Sequence, residues 1–282
     1  MIRIAIPTEE SLKSEALGLL QRIGLGVPLS INHISVSALN FPAEIVFLPE
    51  IDILPLTENG FIDLGIVSHY YQTELDSKVS VLRYLGIGYH NISITTGNIT
   101  KYRGVETLNG KSIITAFPST LTKFLKVNNI HAKVVGVAPS AVSTTRVGFT
   151  DFYCEAIPEG LSYTKEILKE VEIIDKSEAI LVNNQQLSIQ KQTILEEFLF
   201  RFDATLKASS KRLISMHVPT ENINSVLEIL PSLKKPTILP IDKHWNLVQV
   251  VMEDTRFWDI VAKLKQLKAA DIVVMPIEQL IL

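Results

Sequence analysis

The feature that most restricts this chain's fold is a repeated alternation of short apolar runs with stretches of helical period. Ile2-Arg3-Ile4-Ala5-Ile6 alternates as a strand and meets Pro7, which lacks the N–H that a ladder needs. Thr8 is then placed to cap a helix, with Glu9 and Glu10 in a first turn where carboxylates suit the dipole. Leu12, Ala16, Leu19, Leu20 and Ile23 share one helical face before Gly24 and Gly26. Ile45 to Leu48 reads as a strand, Ile51 to Asn59 as a helix or turn ending at Gly60, and Phe61 to Val67 as a further buried strand. Strands alternating with helices predict parallel βαβ units and the α/β class.

The pattern starts again at Tyr89. Asn91 to Thr95 is expected to carry the chain into a second lobe. Gly110 to Thr115 opens a strand, Ser119 to Asn129 a helix, and Lys133 to Val137 another strand. Ala179 to Val182 reads as a strand returning to the first lobe, followed by a long amphipathic helix from Ser188 to Leu206. After Ser209 the order becomes βαββαβ: strands at 213–218, 237–240, 247–252 and 271–275, a helix capped by Thr220, and a second from Phe257 to Leu267. That order predicts a ferredoxin-like unit of the type that often binds a small regulatory ligand.

Composition narrows the function. At 282 residues the chain is long for one domain. A net charge of −3 provides no general attraction to nucleic acid or to an anionic membrane. The single cysteine, Cys154, excludes an intrachain disulfide and a cysteine metal cluster and is expected to be buried and inert. The six histidines show no metal-ligand spacing, so His69 and His90 read as loop or satisfied residues, and Trp245 and Trp258 as core. No apolar run has the length of a membrane span, and Met1 to Ile6 begins as a strand without signal-peptide character. The expectation is a cytoplasmic protein.

The stretch around which the lobes are arranged is Cys154 to Tyr163. It follows Asp151-Phe152-Tyr153, the start of a buried strand, and leads into the polar, helix-like run Thr164 to Glu170. A strand, a Gly-containing loop and a helix start form a natural anion pocket. Yet this loop carries Glu155 and Glu159, the wrong sign for phosphate.

Taken in order, several motifs resemble the long form of ATP phosphoribosyltransferase, the first enzyme of histidine biosynthesis. They are Asn40-Phe41-Pro42, Ile62-Asp63-Leu64-Gly65-Ile66, Leu108-Asn109-Gly110-Lys111, Val147 to Asp151 and Lys176-Ser177-Glu178-Ala179. Lys235-Pro236-Thr237-Ile238, Phe257-Trp258-Asp259-Ile260 and Pro276-Ile277-Glu278 follow in the last module. The resemblance implies a two-lobed catalytic region like periplasmic binding proteins, with lobe I at 1–90 and 180–208 and lobe II at 91–179. A C-terminal ferredoxin-like regulatory domain, 209–282, follows. It implies transfer of the phosphoribosyl group of phosphoribosyl pyrophosphate to N1 of ATP with Mg2+, a histidine effector, and a homo-oligomer, dimer or hexamer.

By the same resemblance the phosphoribosyl loop is Glu155, Glu159, Gly160, Leu161 and Ser162, and the first-strand turn is Thr8, Glu9, Glu10 and Ser11. The departures fall there. Glu9-Glu10-Ser11 stands for a Lys-Gly-Arg type of turn, Leu48-Pro49-Glu50 for a segment with an arginine, and Val142 for a glutamate. Lys268 replaces a glycine before Ala269. From the residues alone, Glu155 is either a ribose contact or a solvent-facing loop charge, Glu159 pairs with Arg146 or another cation, and Gly160 and Ser162 make a turn and a cap. Two functions follow: an active transferase with an atypical site, or a catalytically silent paralogue acting as a ligand-binding or regulatory partner. A third is an enzyme for a less anionic or cationic substrate.

Overall fold

In the computed structural model, β1 (Ile2–Pro7) pairs in parallel with β3 (Ala43–Leu48) on one side and β4 (Leu64–Ser68) on the other. That is the βαβ arrangement the alternation predicts. The structure describes residues 1–28, 34–97, 101–139, 141, 149–160, 168–231, 233 and 235–281. They form two compact units, Met1–Gln21 with Leu25–Ile194, and Arg22–Gly24 with Leu195–Leu282.

The first unit holds two sheets. One has the order β2-β3-β1-β4-β11-β5, with β2 at Ser35–Ser37, β5 at Ser80–Tyr84 and β11 at Ala179–Asn183. The other has the order β10-β6-β9-β7-β8, with β6 at His90–Gly97, β7 at Ser112–Thr115, β8 at Lys133–Gly136, β9 at Phe152–Pro158 and β10 at Leu168–Ser177. The chain crosses between the sheets twice, from β5 to β6 and from β10 to β11. The helices are α1 (Glu10–Arg22), α2 (Glu50–Glu58), α3 (His69–Glu74) and α4 (Pro118–Val127). One apolar core includes Ile53, Leu54 and Val67 of the first sheet's layer with Ile92, Ile113 and Phe152 of the second.

Two residues of the Ile62 to Ile66 motif have scaffold roles. Asp63 accepts the Arg3 backbone N–H at 2.8 Å and the Lys191 ammonium at 2.8 Å on both oxygens, tying strand β1 to the segment after β11. Gly65 lies under α2, where a Cβ would stand 2.5 Å from Ile53 Cγ2 and 3.1 Å from Val182 Cγ2. Overpacking a buried contact costs about 1–3 kcal/mol. Gly65→Ala is therefore expected to lower stability by about that amount in urea denaturation, with an unchanged m-value.

The second unit contains α5 (Ile189–Ser209) from Leu195 onward and an antiparallel sheet of order β13-β14-β12-β15. Its strands are β12 (Lys211–Pro219), β13 (Thr237–Pro240), β14 (Trp245–Glu253) and β15 (Ala270–Pro276). With α6 (Ile223–Ile229) and α7 (Asp254–Gln266) the order is βαββαβ, as expected. Ile214, Met216, Val248, Val250 and Met252 pack with Val226, Phe257, Ile260 and Leu264. Lys268 holds the left-handed conformation at φ +60°. A side chain there costs about 1 kcal/mol that glycine avoids. Lys268→Gly is expected to stabilise the protein by roughly 1 kcal/mol, read as a raised urea midpoint.

The structure corrects several local expectations. Helix α1 begins at Glu10, so Glu9 and not Thr8 holds the cap position, while the Thr8 N–H donates to the Leu48 carbonyl at 2.9 Å. Strand β4 begins at Leu64, because residues 61–63 are consumed in the turn from α2. Thr220 lies in a 3₁₀ turn, and α6 starts after Asn222 with no side-chain cap. Of the helix-like run Thr164 to Glu170, residues 164–167 lie outside the described residues, and Leu168–Glu170 begin strand β10. Trp258 is 75% exposed rather than core, since the face of α7 toward the sheet is filled by Phe257, Ile260 and Leu264.

Candidate functional site

Parallel strands end their C-termini at one edge of a sheet, and ligands gather where the strand order reverses direction. Strand β1, with β3 on one side and β4 on the other, is such a point. Its C-terminal edge carries Glu9 and Ser11 after β1, Glu50 after β3, and Tyr70 and Tyr71 after β4. Facing them from the second sheet are Phe117 after β7, Pro139 after β8, and Glu155 and Pro158 of β9, with His90 at the crossing into β6. Together these line a cavity of about 300 Å³.

Glu50 is the most constrained of the group. It is 4% exposed at the first position of α2. Its carboxyl accepts the Ser68 N–H at the end of β4, and its own N–H donates to both Glu9 oxygens at 3.2 Å. Glu9 therefore serves as a charge on the α2 N-terminus, which has no other side-chain cap. Burial pushes the Glu50 carboxyl up to about 7 against the Ser68 hydrogen bonds, and nearby Glu9 adds to the rise. With a value near 7, the Glu50 carboxyl is shared between its neutral and charged forms at neutral pH. Tyr70 is raised well above the ordinary phenol value by burial and by Glu50.

Glu155 is not a solvent-facing loop charge. It lies within β9, 4% exposed, and accepts the Thr95 hydroxyl at 2.9 Å. Strand alternation explains the placement: Cys154 points into the core, where burial pushes its thiol up to about 12, and Glu155 points to the opposite face. Glu159 follows the strand, its N–H donating to the Tyr89 carbonyl at 2.9 Å. Gly160 has φ +81°, a turn conformation, and a Cβ there would meet no atom within 4 Å. Leu161 and Ser162, like Val142 and Arg146, lie outside the described residues.

Of the first-strand turn, Glu9 and Ser11 reach the cavity and Thr8 and Glu10 do not line it. Glu10 is exposed and 4.0 Å from Lys13. His90 has its Nδ1 2.9 Å from the Gly88 carbonyl and also lines the cleft, so the expected satisfied histidine is part of the site as well. Glu50 read only as a departure at an arginine-bearing segment, and Tyr71 and Phe117 went unread as site residues in the sequence. The signal that finds them is topological: they follow the C-terminal ends of parallel strands.

Among the described lining residues there are three carboxylic side chains, Glu9, Glu50 and Glu155, and no lysine or arginine. Among the described residues no three His, Cys, Asp or Glu side chains gather to hold a metal ion. Mg2+ commonly takes one or two protein carboxylates together with its ligand's phosphates, and the carboxylic side chains on this lining are of that type. No described helix is long and apolar enough to cross a membrane.

Comparison with known proteins agrees with this architecture. Residues 49–204 match the family model described as ATP phosphoribosyltransferase, and residues 208–279 match the one described as HisG, C-terminal domain. Proteins named ATP phosphoribosyltransferase from Phocaeicola vulgatus and Bacteroides thetaiotaomicron are 34% and 33% identical, each alignment covering 100% of both chains. A chain of the ATP phosphoribosyl transferase (HisG:HisZ) complex from Thermotoga maritima shares the fold, with a TM-score of 0.58 and 15% identity over 72% of this chain and 96% of that one. Over its whole length, this chain belongs to the ATP phosphoribosyltransferase family.

Proposed function

We propose that the chain transfers the phosphoribosyl group of phosphoribosyl pyrophosphate to N1 of ATP, the two substrates meeting in the cleft between the sheets. The observation that carries this reading is the position of Glu155. The resemblance assigns it to the aspartate of the phosphoribosyl loop, and it projects from β9 into a cavity that both lobes line. A carboxylate there accepts hydrogen bonds from ribose hydroxyls. As the bond from N1 of ATP to the ribose anomeric carbon forms, the bond from that carbon to the pyrophosphate oxygen breaks.

In this reading Glu159 and Gly160, with Leu161 and Ser162, form the loop around the ribose phosphate, and Thr8 to Ser11 form the turn on the opposing lobe. Lobe I comprises 1–90 and 180–208, lobe II 91–179, and residues 209–282 a histidine-sensing domain of a dimer or hexamer in the cytoplasm. Magnesium enters as the counterion of the polyphosphates. The raised Glu50 carboxyl carries only part of a charge near neutral pH, which lowers the negative charge that opposes them. A lining of carboxylic side chains without a lysine or arginine makes affinity for these ligands depend on Mg2+ more steeply than in a cation-lined cleft.

The test is product formation by protein made in a host that lacks its own ATP phosphoribosyltransferase. Mass spectrometry should show N1-phosphoribosyl-ATP and pyrophosphate in equal amounts. Absence of both products at micromolar protein and saturating substrates overturns the proposal. The silent paralogue, which the comparisons do not favour, then takes its place.

A further inference from the structure

Helix α4 of the second sheet's layer starts without a cap of its own. Phe117 holds the cap position with no side-chain hydrogen bond, and Pro118 occupies the first turn. The N–H groups that follow are unsatisfied within the helix and need an acceptor. That acceptor is Glu74, the last residue of α3, which belongs to the other sheet's layer. The Ser119 N–H donates to Glu74 Oε1 at 2.8 Å, and the Thr120 N–H and hydroxyl donate to Glu74 Oε2 at 2.9 and 3.0 Å. A capping carboxylate normally comes from its own chain turn. Here it reaches across 45 residues of sequence and from one lobe to the other.

A second contact runs beside it. The Phe117 ring lies 5.0 Å from the Tyr70 ring in an edge arrangement and 6.2 Å from Tyr71. All three rings line the cavity. The charged cap and the aromatic contact thus join α3 to α4 without using the backbone of the two chain crossings, the nearer of which meets α3 where the Tyr70 N–H donates to Ser177 Oγ at 3.0 Å. Domain closure about such crossings is a common motion of two-lobed proteins.

We propose that Glu74 is a positioning residue for the cleft: its carboxylate on the α4 N-terminus is a latch that holds the lobes in the closed register, with Phe117 against Tyr70. Opening requires Glu74 to release α4, which leaves that helix start solvated and the carboxylate free. The latch does not depend on which ligand the cleft takes, so its test needs none and stands apart from the transferase reading.

The experiment is an electron–electron double-resonance distance measurement on unliganded protein. Spin labels go on Asp52→Cys in α2 and Lys126→Cys in α4, both exposed sites, while the native Cys154 is buried and stays unlabelled. The parent pair should give one narrow distance. Glu74→Ala should raise the ratio of longer to shorter distances about ten-fold, and Glu74→Gln, which keeps one acceptor oxygen, by a smaller factor. Loss of a merely structural cap would lower the melting temperature without changing this distribution. Parent-like distributions in both variants overturn the proposal, as does a parent that is already broadly distributed. Should Glu74→Ala not fold, the isosteric Glu74→Gln decides on the same reading.

Discussion

Glu50→Gln is expected to be more stable than the parent at pH 8, by up to roughly 3 kcal/mol, and nearly equal to it at pH 4.5. The native carboxyl titrates at about 7 and the unfolded one at 4.5, so the folded state holds the proton more tightly. A raised carboxyl of this kind contributes stability that is complete below the unfolded value. It is lost as pH climbs from 4.5 to 7, because the unfolded carboxyl ionises in that window while the buried native one still holds its proton. Each pH unit of that window is worth about 1.4 kcal/mol, which sets the upper figure. Glutamine is neutral throughout and keeps an oxygen for the Ser68 N–H. Other carboxylates contribute equally to both proteins, so the difference between their urea-unfolding profiles across pH 4.5–8 isolates Glu50. Profiles that run parallel would show that Glu50 is ionised in the native protein.

The second large effect is on ligand affinity. Glu9→Lys with Ser11→Arg restores the type of turn that the family resemblance assigns to this position. At about 4 Å a pair of unit charges is worth roughly 1 kcal/mol in water and about 4 kcal/mol at an effective dielectric of 20. Glu9 and Ser11 both line the cavity, so the double substitution exchanges a repulsive contact for two attractive ones. The dissociation constant for phosphoribosyl pyrophosphate should fall by a factor of about ten to a thousand, and the gain should shrink as salt rises. Loss of the Glu9 carboxylate from the Glu50 N–H should cost about 0.5–2 kcal/mol of stability at the start of α2. An affinity within two-fold of the parent would place the phosphates elsewhere in the cleft.

The layers of this fold were legible because the strands of both parallel cores are short, apolar and bounded by Pro or Gly. Strand β1 ending at Pro7 and β4 carrying Gly65 are examples. Strand β10 was harder to read. It is an edge strand rich in charge, and its first residues, Leu168 to Glu170, end a polar run that looks helical from Thr164 onward, although Glu170 accepts the Ser93 hydroxyl of the neighbouring β6 at 2.6 Å. Trp258 misled for a related reason: helix periodicity places Phe257 and Ile260 inward, and the tryptophan between them faces out.

The site was legible only in part. Glu9, Ser11 and Glu155 stood out as charge or motif departures, and the structure brings them to one cavity. Glu50 read as a substitution at an arginine-bearing segment, yet its burial and its bonds to Ser68 and Glu9 join segments separated by 18 and 41 residues. No local pattern reports such pairings. The Glu74 latch is of the same kind, a bond between lobes that leaves no spacing signature.

The carboxylate-lined cleft is proposed to take phosphoribosyl pyrophosphate with Mg2+, and calorimetric titration of the purified protein with that pair, followed by ATP, decides the matter. Saturable binding in the micromolar range that needs Mg2+ is expected. Binding should disappear in Gly160→Pro, since proline cannot adopt the φ of +81° found there. No heat of binding by the parent up to millimolar ligand would contradict the proposal.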